Sequence, residues 1–94
     1  MTLKLRNELQ FFEKLLQKHS LDPAKTVMVG NDFYADMGIA LACGTAGAHI
    51  NSDKLSALER AKQRKLLEAE YGRGIDKIYE FQSIIDLLND VAAQ

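Results

Sequence analysis

A single cysteine, Cys43, is all that this 94-residue sequence carries, which excludes an intrachain disulfide and a cysteine-based zinc cluster. Cys43 lies in the apolar run Ile39-Ala40-Leu41-Ala42-Cys43, where a thiol is expected to be a buried, inert small hydrophobe. An excess of either charge is missing too. Twelve Lys and Arg face thirteen Asp and Glu, a formal charge of −1, so no global field recruits nucleic acid or an anionic membrane. No apolar stretch is long enough to cross a bilayer. The opening residues, Met1 to Glu8, contain no signal-peptide hydrophobic region, so the expected compartment is the cytoplasm. The only histidines, His19 and His49, read as a helix-closing residue and a strand residue rather than as a joint metal site. What remains is an ordinary soluble composition, 47% apolar and 27% charged, sufficient for one domain with one core.

Periodicity divides the chain cleanly. Leu5, Leu9, Phe12, Leu15 and Leu16 predict an amphipathic helix over roughly residues 3 to 19. Asp22 and Pro23 suit a cap and the start of a further short turn. Thr26 to Val29 is apolar without alternation, the pattern of a strand covered on both faces. Roughly Ala35 to Cys43 reads as a short helix that Gly44 ends in a left-handed cap. Thr45 to Ile50 reads as a second strand. Asn51-Ser52-Asp53 offers capping side chains to a long polar helix, about Lys54 to Glu70, which Gly72 and Gly74 stop. Ile75 to Tyr79 suggests a third strand. Ser83 with Asp86 resembles a capping box before a last helix bearing Ile84, Ile85, Leu88, Val91 and Ala92. The predicted order is α-β-α-β-α-β-α, a three-layer Rossmann-like α/β fold with about three parallel strands.

The chemistry concentrates in Val27-Met28-Val29-Gly30-Asn31-Asp32-Phe33-Tyr34-Ala35-Asp36. A buried strand ends on a glycine and opens into a loop with two carboxylates, Asp32 and Asp36. Ligands of open α/β sheets sit beyond the carboxyl ends of the strands, and paired carboxylates there suit a hard cation such as Mg²⁺. Capping of the following helix explains acids at this position equally simply. Gly30 is expected to permit a sharp turn or a positive φ. Phe33 and Tyr34 either shape an entrance or pack the loop onto the sheet. Arg60, Lys62, Arg64 and Lys65, flanked by Glu59, Glu68 and Glu70, read as a solvated helix face.

This stretch, with Ala40 and Cys43-Gly44 after it and Leu21-Asp22-Pro23-Ala24-Lys25 before it, resembles the fourth motif of the haloacid dehalogenase-like (HAD) phosphohydrolases. Gly44 to Asn51 and Ile75 to Leu88 look like later strands and a helix of the same core. The resemblance implies residues 1–94 as the C-terminal part of one HAD-like core domain, without a cap domain. It implies Mg²⁺-dependent phosphoryl transfer, with Asp32 and Asp36 holding the metal and a phosphorylated small molecule as substrate. By spacing, Arg6 falls near the family's third-motif basic residue and becomes a candidate phosphate contact, although Arg is not equivalent to the usual Lys and Asn7 replaces the usual proline.

Other parts of the family pattern have no counterpart. The nucleophile motif, Asp-x-Asp after the first strand, and the Ser or Thr of the second motif are both unmatched. Asn31 stands where many members carry Asp, and Ile39 where a small residue is common. The expectation is a C-terminal fragment that contributes motif-four carboxylates and is inactive alone. Its strand before the acidic loop would present an exposed edge, seeking either the N-terminal half of the domain or a second copy. The alternative is a non-catalytic α/β interaction module that self-associates. A receiver-like reading would require a second acidic strand end and a late Lys, which are not found.

Overall fold

The computed structural model describes residues 3–93; Met1, Thr2 and Gln94, the ends of the expected 1–94 domain, lie outside the described residues. The elements are α1 (Leu3–Lys18), β1 (Val27–Gly30), α2 (Phe33–Cys43), β2 (Ala46–His49), α3 (Ala57–Tyr71), β3 (Ile78–Glu80) and α4 (Ile84–Ala92), with short 3₁₀ turns at Pro23–Lys25, Ser52–Lys54 and Ile75–Lys77. The strands form one parallel sheet in the order β1-β2-β3. This is the alternating α/β, Rossmann-like arrangement that the periodicity predicts.

Register assigns the two faces of the sheet. Met28 lies beside Gly47 and Gly47 beside Ile78, while Gly30 lies beside His49 and His49 beside Glu80. Side chains alternate along a strand, so both rows share one face, and that face carries α2. A Cβ on Gly47 would stand 2.6 Å from Met37 Sδ and 3.3 Å from Ala40 Cβ. The missing side chain therefore lets α2 lie close against the sheet. Phe33, Met37, Ala40, Leu41, Leu67 and Ile78 make the core between α2, α3 and this face. α1 packs against α2, with Leu5, Leu9, Phe12, Leu15 and Leu16 half-buried.

The opposite face is open at β1. Val27 is 52% exposed and Val29 47%, so the expected cover on both faces of this strand is not found. An apolar run without alternation reports what a strand could bury, and here β1 is an edge strand with α2 packed on one face. Ile84, Ile85, Leu88 and Val91 of α4 are exposed as well.

Two local expectations are corrected. The polar helix begins at Ala57, not Lys54, because Ser56 Oγ accepts from the Glu59 N–H at 3.1 Å. Ser56 and Glu59 have the spacing of a capping box. Asn51-Ser52-Asp53 instead enters the 3₁₀ turn, with Asn51 left-handed at φ 58° and without a side-chain cap bond. The basic cluster is only partly a solvated face. Arg60 Nε lies 2.6 Å from Glu80 Oε1, and Arg64 Nη2 lies 2.9 Å from Glu80 Oε2. Arg64 also donates to the Ile78 carbonyl at 2.7 Å, and Arg60 to the carbonyls of Ser52 and Leu55. These two guanidinium groups tie α3 to the carboxyl end of β3, where planar donors can meet a carboxylate and carbonyls together. Lys62 and Lys65 remain exposed.

Other expectations hold. Asp22 caps the Pro23–Lys25 turn by accepting from the Ala24 N–H. Gly44 ends α2 at φ 79°. Ser83 Oγ accepts from the Asp86 N–H at 3.2 Å at the start of α4.

Candidate functional site

β1 delivers its last residue, Gly30, to the carboxyl edge of the sheet, and α2 begins three residues later at Phe33. Asp32 is the N-cap of α2: its Oδ1 accepts from the Ala35 N–H at 3.1 Å. Asp36, one turn on, reaches back so that its Oδ2 accepts from the Asp32 N–H at 3.0 Å. The two carboxylates thus satisfy the Ala35 and Asp32 N–H groups at the start of α2, in the manner of a capping box with its second acid one position later. Asp32 is exposed and Asp36 half-buried. Each keeps one oxygen, Asp32 Oδ2 and Asp36 Oδ1, without a protein donor among the described residues. Both stand where the positive end of the helix dipole favours negative charge.

Gly30 serves this geometry by its size. Its φ is not positive, so of the two expected uses of this glycine the positive φ is not found. A Cβ there would lie 2.2 Å from Asp36 Oδ2 and 2.5 Å from Asp36 Cβ, so the Asp36 carboxylate occupies the space a side chain would fill.

Beneath the loop lies His49, the buried last residue of β2. Its Nε2 is 3.2 Å from the Asn31 carbonyl and its Nδ1 is 2.9 Å from Ser52 Oγ. A carbonyl only accepts, so Nε2 carries the proton in that contact, while Ser52 Oγ also donates to the His49 carbonyl at 3.1 Å. Phe33 meets the same ring edge-to-face, with centroids 4.9 Å apart. The Arg64 guanidinium also stands over the Phe33 ring, 5.6 Å from its centre. Phe33, 1% exposed, is therefore a core residue that packs the loop onto the sheet. Nothing local in the sequence joins His49, Ser52, Arg64 and Glu80 to the loop. His49 and Glu80 lie in the stretches that resemble later strands of the core, but the grouping depends on the β1–β2–β3 register.

Tyr34 takes a different course. Its hydroxyl donates to Glu70 Oε2 at 2.7 Å, and this bond, with burial and the nearby charge, holds the phenol above its ordinary value. The thiol of Cys43 is raised as well, by burial first and by the Glu13 carboxylate second; the residue is half-buried. Arg6 is exposed in the first turns of α1, and no hydrogen bond or ion pair joins it to the acidic loop among the described residues.

Beside the loop runs an apolar groove of about 280 Å³, lined by Phe12, Leu15, Leu16, Val27, Val29 and Asp36 among others. It touches four successive residues, Thr26 to Val29. Successive strand residues point to opposite faces, so the groove follows the free edge of β1. The Ala46 N–H donates to the Thr26 carbonyl and the Ile50 N–H to the Gly30 carbonyl. In a parallel ladder the alternate residues therefore face outward, which leaves the N–H and C=O of Val27 and Val29 directed into the groove.

Among the described residues no three His, Cys, Asp or Glu side chains gather as a metal cluster, and no helix is long and apolar enough to cross a membrane. Asp32 and Asp36 offer two hard oxygen donors. That number fits Mg²⁺, which is commonly held by one or two carboxylates with water and phosphate completing its shell.

A family model described as HAD-hydrolase-like matches residues 8–71. The match runs from α1 to the end of α3, takes in Asp32, Asp36 and His49, and leaves Arg6 outside. No curated protein and no solved structure matches the chain.

Proposed function

Because this chain belongs to the HAD-hydrolase-like family, whose model covers residues 8–71, we propose that it supplies the metal-holding carboxylates of a phosphohydrolase core. One observation carries the reading. Asp32 and Asp36 stand together at the carboxyl end of β1, each with an oxygen left over after capping α2. Mg²⁺, the metal suited to these donors, neutralises phosphate charge and orients the phosphoryl group when bound. The chain's own part is to hold both carboxylates over one point at a helix N-terminus. Arg6 is the residue we assign to phosphate contact. The substrate class is a phosphorylated small molecule.

The chain brings no strand-end Asp-x-Asp to this point, so phosphoester cleavage requires a nucleophile from elsewhere. The outward N–H and C=O groups of Val27 and Val29 make β1 the place where the N-terminal half of such a core would add a parallel strand. That strand would bring its carboxyl end beside Asp32. The alternative reading, an interaction module that self-associates, uses the same edge for a second copy and gives the carboxylates a capping role only.

Mg²⁺ titration of the ¹⁵N-labelled protein separates the two. Saturable shifts at the Asp32 and Asp36 amides in the millimolar range, reduced in Asp32→Asn and Asp36→Asn, are expected. No response in the wild type would leave the acids as helix caps and overturn the metal reading. The isolated chain should not hydrolyse an aryl phosphate; turnover lost in Asp32→Asn would refute the need for an added nucleophile.

A further inference from the structure

We propose that His49 is a positioning residue for the acidic loop, acting through the peptide that joins Asn31 to Asp32. The proposal rests on how that one peptide is held. Its carbonyl, on Asn31, takes the Nε2 proton of His49 at 3.2 Å. Its N–H, on Asp32, donates to Asp36 Oδ2 at 3.0 Å. A trans peptide is rigid and planar, with C=O and N–H pointing opposite ways. Fixing the carbonyl therefore fixes the direction of the N–H, and with it the oxygen of Asp36 that answers. The other Asp36 oxygen is then turned by the same constraint.

The ring is well placed to do this. His49 is 1% exposed, and its ring is held at the other nitrogen by Ser52 Oγ, 2.9 Å from Nδ1, a hydroxyl that itself donates to the His49 carbonyl at 3.1 Å. Ser52 is anchored in turn: its N–H donates to the Phe81 carbonyl at 3.1 Å, and its carbonyl accepts from Arg60 at 2.6 Å. His49 also packs on Phe33, the residue immediately after Asp32. The histidine therefore braces the chain on both sides of Asp32, once by a hydrogen bond and once by ring contact. A residue chosen only to fill the core would carry no polar atoms in need of partners. Here both ring nitrogens are used, and one of them is spent on the exposed loop.

The metal consequence rests on the proposed Mg²⁺ reading, whereas the effect on the loop does not. The test compares His49→Gln, which keeps a side-chain N–H donor, with His49→Leu, which fills similar space without one. Two readouts are taken on each protein: amide hydrogen exchange at Asp32 without metal, and Mg²⁺ affinity from titration of the labelled chain. In His49→Leu, exchange at Asp32 should accelerate, and Mg²⁺ should bind about tenfold more weakly, the lower end of the effect of outer-shell partners. His49→Gln should recover most of both.

Wild-type exchange and affinity in His49→Leu would overturn the proposal, as would equal impairment of Leu and Gln variants that both remain folded. If wild type binds no Mg²⁺, the metal reading fails, and the exchange comparison alone decides the role of His49. If His49→Leu does not fold, Ser52→Ala tests the same link by releasing the ring: faster Asp32 exchange supports it, and unchanged exchange refutes it.

Discussion

Replacing Gly30 by alanine tests whether the close approach of β1 and α2 sets the acidic site. The added Cβ would lie 2.2 Å from Asp36 Oδ2, 2.4 Å from Cγ and 2.5 Å from Cβ. Rotation of the Asp36 side chain relieves the first two contacts. It does not relieve the third, because Cβ is fixed to the helix, so the start of α2 must move outward by about 1 Å to reach ordinary packing distance. That helix lies against β1, β2, α1 and α3, and overpacking of this kind costs about 1–3 kcal/mol. Loss of the bond from the Asp32 N–H to Asp36 adds about 1 kcal/mol. Gly30 has no positive φ, so alanine recovers about 0.5 kcal/mol from the unfolded chain. The net loss is about 1.5–3.5 kcal/mol, a fall in Tm of about 6–28 °C for a domain of this size. Thermal melting followed by circular dichroism reads it. In an Asp36→Gly background, which removes all three clashing atoms, the cost of Gly30→Ala should drop below about 1 kcal/mol. A Gly30→Ala protein melting within about 2 °C of the wild type would refute the steric account.

Two further outcomes follow from the fold. Burial, aided by the Glu13 carboxylate, holds the Cys43 thiol above its ordinary value, so alkylation at mildly alkaline pH should be slower in the folded protein than in denaturant. Because the folded value is the raised one, the stabilisation from Cys43 is complete below the ordinary thiol value and is lost as pH rises through the folded one; equal alkylation rates in both states would contradict this. At the sheet edge, Val29→Lys should suppress any concentration-dependent association seen by sedimentation, since a charge there opposes strand pairing. Association undiminished in this variant would move the contact away from β1, to a surface such as the exposed face of α4.

The elements were legible because their signals are local. Leu5, Leu9, Phe12 and Leu16 declare α1 by spacing alone, and Gly44 and Ser83 mark helix ends by their own side chains or lack of one. Local rivalry explains the misplaced start of α3. Asn51-Ser52-Asp53 and Ser56 are both good caps in sequence, and Ser56 has the acidic partner three residues on that the first group lacks. The reading of Arg60 and Arg64 as solvated charge failed for a different reason. Their partner, Glu80, lies on a strand sixteen or more residues away, and pairing depends on where β3 ends.

The acidic loop divides along the same line. Asp32 and Asp36 could be named from a strand, a glycine and two carboxylates in succession. What orients them could not, because it comes from the next strand. Register brings His49 beside Gly30, and this places an imidazole under the Asn31–Asp32 peptide and leaves room above Gly30 for Asp36. A glycine in sequence suggests unusual backbone, whereas Gly30 has no positive φ and is required by what crosses over it. A histidine in an apolar strand suggests a satisfied core residue, and His49 is one. The carbonyl that satisfies it belongs to the loop, so the same hydrogen bond that permits its burial also restricts the site. Core and site are therefore not separable at β2: a substitution there made for packing alone should also change how Asp32 and Asp36 are presented.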